Sequence, residues 1–187
     1  MIKATIRKLE PADGDNVLSM YEEFEPKAEF QGLPPRTREN TAHWLQALRL
    51  AGDGEFVIEV NRKIVGHSML CLMENKTEAE LAIFIHQDYR GCGLGKRLLL
   101  GTLNYGCKVL ELDRVLLSVQ GSNPRALHLF EKVGFREGTE LNALQWELEM
   151  MRPSHCERCK QKRCVLFDQS LPMTFTLSGT KPAANLN

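Results

Sequence analysis

The chain has 187 residues, 43% of them hydrophobic and 26% charged, with 24 Lys+Arg against 24 Asp+Glu. That length fits one domain with a short appendage, and the composition excludes a disordered chain, a collagen-like repeat and a disulfide scaffold. A formal net charge of zero excludes a dedicated nucleic-acid or anionic-membrane binder, so contact with a polyanion has to be local.

Ile2, Ala4 and Ile6 alternate with Lys3, Thr5 and Arg7, predicting a half-buried strand over Ile2 to Leu9. The same start has no apolar core of a secretory leader, and the apolar runs Leu81 to Ile85 and Val115 to Leu117 fall far short of the roughly 20 residues that cross a bilayer. A cytoplasmic protein is expected, with no membrane partner. Pro11-Ala12-Asp13 supplies a turn and cap for a helix carrying Val17, Leu18, Tyr21 and Phe24, which stops before Pro26. Pro26 to Pro35 reads as a loop, and Thr37 caps a second helix with Trp44, Leu45, Leu48 and Ala51 on one face, ended by Gly52-Asp53-Gly54. Glu55 to Val60, Ile64 to Met73 and Glu78 to His86 then read as strands joined by short links, hence an antiparallel meander.

After Gly91-Cys92-Gly93-Leu94-Gly95 comes a long helix with Leu99, Leu103, Cys107 and Leu110 at helical spacing. Arg114 to Gln120 is a strand, and Asn123 to Val133 is a helix opened by Pro124 and stopped by Gly134. Phe135 to Leu141 and Ala143 to Met151 close the fold as a hairpin. The order predicts an α/β (α+β) fold: a mixed, mostly antiparallel twisted sheet of about seven strands flanked by four helices. A domain boundary near Arg152 separates residues 1–152 from a short C-terminal extension, residues 153–187.

The chemistry concentrates in Arg90-Gly91-Cys92-Gly93-Leu94-Gly95-Lys96, between a strand and a helix. Glycines let successive N–H groups face one ligand, and the helix start adds partial positive charge, which suits a pyrophosphate. The dinucleotide fingerprint fails because Lys96 stands where its third glycine belongs, and the triphosphate loop fails at Arg90 and Arg97. The remaining pattern, [Q/R]-x-x-G-x-[G/A], is met by Arg90, Gly93 and Gly95. On these residues, and on the segment Asn123-Pro124-Arg125-Ala126-Leu127-His128-Leu129-Phe130-Glu131-Lys132-Val133-Gly134-Phe135, the chain resembles the GNAT superfamily of N-acetyltransferases from Ile2 to about Arg152.

The resemblance implies acetyl-CoA as co-substrate, with no metal required. It implies a pantetheine arm along the backbone of Ile83, Phe84 and Ile85, and a pyrophosphate held by the amides of Gly91, Cys92, Gly93, Leu94, Gly95 and Lys96, with charge from Arg90 and Lys96. It places Asn123 near the thioester, with Ala126 and Phe130 on the helix lining the arm. Glu78 and Glu80 share a strand face where the family often carries a base, and Glu80 is the first choice. Phe130 stands where the family usually has a tyrosine proton donor, so the thiolate leaves without that help. Tyr89 and Tyr105 are not obvious substitutes. The acceptor is a primary amine of a small molecule or protein, and Glu22, Glu23, Glu25, Glu29, Phe24, Phe30 and Trp44 form an acidic and aromatic region that could receive it. Two readings stand: an acyl-CoA-dependent N-acetyltransferase attacking in a ternary complex, or a noncatalytic acyl-CoA sensor. In the extension, Cys156, Cys159 and Cys164 with His155 give too few ligands for a closed zinc site in one chain, though a homodimer could complete one.

Overall fold

The computed structural model describes residues 2–27, 33–142, 145–151 and 173–177. Its elements run β1 (Ile2–Lys8), α1 (Gly14–Glu22), α2 (Arg38–Ala51), β2 (Gly52–Val60), β3 (Lys63–Leu72), β4 (Glu78–Ile85), α3 (Leu94–Lys108), β5 (Arg114–Gln120), α4 (Pro124–Val133), β6 (Arg136–Asn142), β7 (Gln145–Met151) and β8 (Met173–Leu177). They build one sheet in the order β6-β7-β5-β4-β3-β2-β1-β8. Among the described residues the β4–β5 pair alone is parallel.

Alternation along each strand divides the core between the two sheet faces. One face carries Leu70, Ala79, Leu81 and Leu117 against Leu99 and Leu103 of α3 and Phe130 of α4, continuing through Ala4, Ile6, Leu94 and Leu98. The other carries Val57, Ile64 and Phe84 against Val17, Met20 and Tyr21 of α1 and Leu45 of α2. Each fully buried aliphatic chain here contributes about 1.5–3 kcal/mol of transfer free energy.

Several boundaries differ from the sequence reading, and three of them bear on the packing. Helix α1 ends at Glu22, and Phe24 packs from the turn beyond it. Helix α3 ends at Lys108, so Leu110 reaches the core from outside the helix. Gly52-Asp53-Gly54 opens β2 instead of standing between helix and strand. A Cβ at Gly52 would lie 2.9 Å from the Leu48 carbonyl oxygen and from Met69 Sδ, so glycine there reflects close approach of α2 and β3.

The largest addition is β8. Its five residues pair antiparallel with β1, from Ile2 opposite Leu177 to Ile6 opposite Met173, giving eight strands where about seven were read. This stretch of the extension therefore belongs to the sheet. His155, Cys156, Cys159 and Cys164 lie outside the described residues.

Candidate active site

Strands β4 and β5 pair only over Glu78–Glu80 and Arg114–Leu116. Beyond Glu80 and Leu116 the ladder stops while both strands continue, to Ile85 and Gln120, leaving a wedge between two parallel strands. The amide of His86 donates to Val65 on β3, so strand alternation turns the peptide groups of Ile83 and Ile85 toward the wedge. Their side chains pack on the α3 side, while Phe84 points to α1 and α2. For Ile83 and Ile85 the sequence expectation thus falls on a strand edge able to accept another extended chain, whereas the peptide groups of Phe84 face β3.

The glycine loop follows β4. Gly91 and Gly93 take φ of +84° and +77°, and Gly93 is the N-cap of α3. A side-chain carbon at either would meet no atom within 4 Å, so backbone conformation explains these glycines and crowding does not. Gly95 lies beside Ile85 and Leu129, from which a side-chain carbon there would stand 3.5 and 3.6 Å, so α3 begins between the end of β4 and α4. Leu94 is buried, whereas Cys92 is half-buried and Lys96 exposed.

The charges at this mouth favour an anion. The first turns of α3 and α4 contain no acidic residue, and instead carry Lys96, Arg97 and Arg125. Basic groups at a helix N-terminus oppose its dipole, an arrangement that a bound anion relieves. Burial lowers the Arg90 pKa, and the nearby Arg125 cation lowers it further. Arg125 was not among the residues singled out from sequence. Arg90 itself donates from Nε to the Ile85 carbonyl at 2.9 Å and from Nη2 to the Glu25 carbonyl at 2.6 Å, with its guanidinium 5.0 Å from the Phe24 ring centre. It fastens the loop to β4 and to the chain after α1.

Asn123 is the N-cap of α4, its Oδ1 accepting from the Ala126 amide at 3.1 Å. Ala126 packs partly buried on the core. Phe130 is buried beside Phe135, ring centres 5.7 Å apart, and brings no polar group to the wedge. The Tyr105 hydroxyl donates to Asp53 and accepts from Lys8, which gives it a structural place away from α4.

The two strand carboxylates have different surroundings. Glu78 is held by Arg114, Nη2 to Oε2 2.6 Å, and Arg114 also reaches Glu149 on β7 at 3.3 Å. Glu80 is exposed at the last rung of the ladder and accepts from Ser118 Oγ on β5 at 3.3 Å. Ser118 pairs in register with Glu147 of β7, and Leu116 with Glu149, so further carboxylates flank the mouth of the wedge. That Ser118 and the β7 carboxylates lie beside Glu80 follows only from strand pairing.

Part of the expected acceptor region is otherwise engaged. Glu22 pairs with Arg38 and Glu23 with Lys63, both at 2.6 Å. Phe24 and Trp44 stack edge-on with Phe84, 5.7 Å between centres in each case. Glu29 and Phe30 lie outside the described residues. Beneath this cluster a chain of hydrogen bonds runs from the core to the surface: Tyr21 Oη to His67 Nδ1 at 2.7 Å, His67 Nε2 to Glu55 at 2.8 Å, and Arg49 Nε to Glu55 at 2.9 Å. Burial pushes the Glu55 carboxyl up, but the His67 and Arg49 bonds prevail and hold it below its ordinary value.

The site is thus a wedge between parallel strands followed by a glycine loop at a helix start. A family model described as acetyltransferase (GNAT) domain matches residues 3–136. The chain belongs to the GNAT acetyltransferase family, whose members use acetyl-CoA as co-substrate. Spermidine N(1)-acetyltransferase of Escherichia coli (strain K12) is 33% identical over 87 residues, 46% of this chain and 47% of that protein. The Vibrio cholerae protein of the same name is 37% identical over 59 residues, 32% of this chain and 34% of its own. The chain thus spans between about a third and about half of these curated relatives' length. Among solved structures, a GNAT-family acetyltransferase from Streptococcus pneumoniae matches with TM-score 0.65 at 22% identity over 79% of this chain and 99% of that one, which supports the fold. No helix among the described residues is long and apolar enough to cross a membrane.

Proposed function

We propose that this chain transfers an acetyl group from acetyl-CoA to a primary amine by direct attack in a ternary complex. The observation that carries the reading is the parting of β4 and β5 after Glu80 and Leu116, with the Gly91–Lys96 loop at the end of β4. An acyl-pantetheine arm in the wedge would hydrogen-bond the edge peptides of Ile83 and Ile85, its phosphates would meet the loop amides with Lys96 and Arg125, and its thioester would lie toward Glu80. The cradle is open and positively charged, and it fits that group.

Glu80 accepts the proton from the incoming ammonium, directly or through water, so that the neutral amine attacks the thioester carbonyl. The C–N bond forms, the C–S bond breaks with its electron pair on sulfur, and the second proton lost by nitrogen passes to solvent or through water to that thiolate. With Phe130 apolar, that thiolate departs unassisted or takes a proton from water, which a thiol pKa near about 8.5 permits. Glu78 keeps Arg114 and the β4–β5 junction in place.

The acceptor class to test first is a polyamine. Glu80 and Glu147 supply negative charge near the end of the β4–β5 ladder, and several relatives bear spermidine or spermine acetyltransferase names. The spermidine N-acetyltransferase of Vibrio cholerae has been solved as a dodecamer, and self-association of this chain is part of the proposal. Phe130 favours one other reading, a noncatalytic acyl-CoA sensor. Thiol release measured across polyamines, small amines and lysine peptides separates the two. Turnover on one class supports the enzyme, whereas tight acetyl-CoA binding without turnover on any amine supports the sensor.

A further inference from the structure

Strand β8 does more than cover an edge. Phe175, opposite Ala4 in the β1–β8 ladder, packs on the buried cluster of Ala4, Ile6, Leu94 and Leu98. Tyr89 and Cys92, which flank and form part of the glycine loop, pack on that same cluster. The Phe175 ring also lies under the Arg97 guanidinium, with Cζ 4.4 Å from the ring centre. Arg97 is in the first turn of α3, one residue beyond the loop, and its amide donates to the Gly93 carbonyl. Thr174 meets Thr5 at 3.3 Å on the opposite face, so the strand is held from both sides.

A guanidinium stacked on an aromatic ring uses its face and leaves the N–H groups around its edge available. Stacking also restricts a long side chain that would otherwise sample many rotamers, so less order is lost when the edge meets a phosphate. Placed beside an N-terminus that already lacks acids, such a fork matches phosphate oxygens.

We propose that Phe175 is a positioning residue for the coenzyme: β8 orients Arg97 toward the phosphates of acyl-CoA, so the C-terminal strand forms part of the cofactor site. This inference rests on the phosphate-binding reading of the Gly91–Lys96 loop.

The test is calorimetric binding of CoA to the full chain and to R97A, F175A, F175L, F175Y and the F175A/R97A pair. R97A weakens binding about tenfold, as expected for loss of a charge-assisted bond. F175A and F175L each weaken it about threefold, F175Y restores it, and F175A adds nothing in the R97A background. F175L keeps an apolar side chain on the cluster, so its melting temperature stays near wild type and its loss reports the ring. The KM for the amine does not move with any Phe175 variant. Unchanged CoA affinity in F175L, or additive losses in the double variant, overturns the inference while leaving the loop as the cofactor site. Failure of the unaltered chain to bind CoA overturns the cofactor site and this inference with it.

Discussion

Ser118 on β5 donates to Glu80 on β4 at 3.3 Å, two residues past the last point at which β5 pairs with β4. The bond links β4 and β5 just beyond the end of their ladder and fixes the Glu80 carboxylate there. Glu78, two residues earlier, is instead bound to Arg114, itself shared with Glu149. The two carboxylates should therefore separate under mutation. E80Q is expected to lower kcat by roughly 100-fold with KM for acetyl-CoA within about twofold of wild type, since it removes the proton acceptor without touching cofactor contacts. E78Q should lower the melting temperature with a much smaller effect on kcat. Steady-state kinetics and thermal melts of both variants decide this, and equal kcat losses would contradict it.

Gly93 caps α3 at φ +77° in open surroundings. An alanine there meets no steric neighbour but strains the backbone by about 1–2 kcal/mol and shifts the loop amides. G93A should raise KM for acetyl-CoA about tenfold while KM for the amine stays unchanged, as measured by thiol release with each substrate varied in turn.

Arg7 binds Asp13 through both nitrogens, at 2.6 and 2.9 Å, and also Glu59 at 2.9 Å. The Arg7 hydrogen bond lowers the Asp13 pKa despite burial, and the Glu10 amide assists. Because the folded pKa lies below the unfolded value of about 3.9, the stabilisation is fully present above that value and is lost as pH falls through the folded pKa. D13N should cost about 2 kcal/mol in urea unfolding at pH 7, with the gap from wild type narrowing in acid. A gap that stays constant down to pH 2 would argue against the ion pair as its origin.

Tyr21 donates to His67 inside the fold while His67 bonds Glu55. Y21F keeps the edge-on stacking with Trp44 and Phe84 but leaves a buried ring nitrogen without its partner. The expected cost is about 1–3 kcal/mol, a fall of several degrees in melting temperature for a domain of this size.

Much of this architecture was legible from local patterns. Thr37 caps α2 by accepting from the Asn40 amide at 3.2 Å, and β2, β3 and β4 form the antiparallel meander that their short links imply. Period-two alternation placed Glu78, Glu80, Ala82 and Phe84 on one face. Relations across the sheet were not legible: Arg114 neutralising Glu78 and Ser118 reaching Glu80 both depend on a parallel register that no local pattern encodes. Arg90 was read as a phosphate contact from its motif position, but its side chain turns back to two carbonyls that only the fold brings near. Strand β8 has an alternating pattern, Met173, Phe175 and Leu177 against Thr174 and Thr176, yet it is short and lies among Ser, Thr and Pro. Its partner β1 is distant in sequence, so the pairing signal is nonlocal.

The central claim is a cofactor wedge whose acid, Glu80, serves chemistry and not binding. Melting of the unaltered chain and of E80Q with saturating acetyl-CoA, alongside thiol release with spermidine and other primary amines, tests it most directly. At about 100 times Kd the ligand adds about 2.7 kcal/mol, so both proteins should melt about 5–10 °C higher, while only the unaltered chain turns over an amine at full rate. No acetyl-CoA-dependent shift in the unaltered chain, or undiminished turnover by E80Q, would contradict the account.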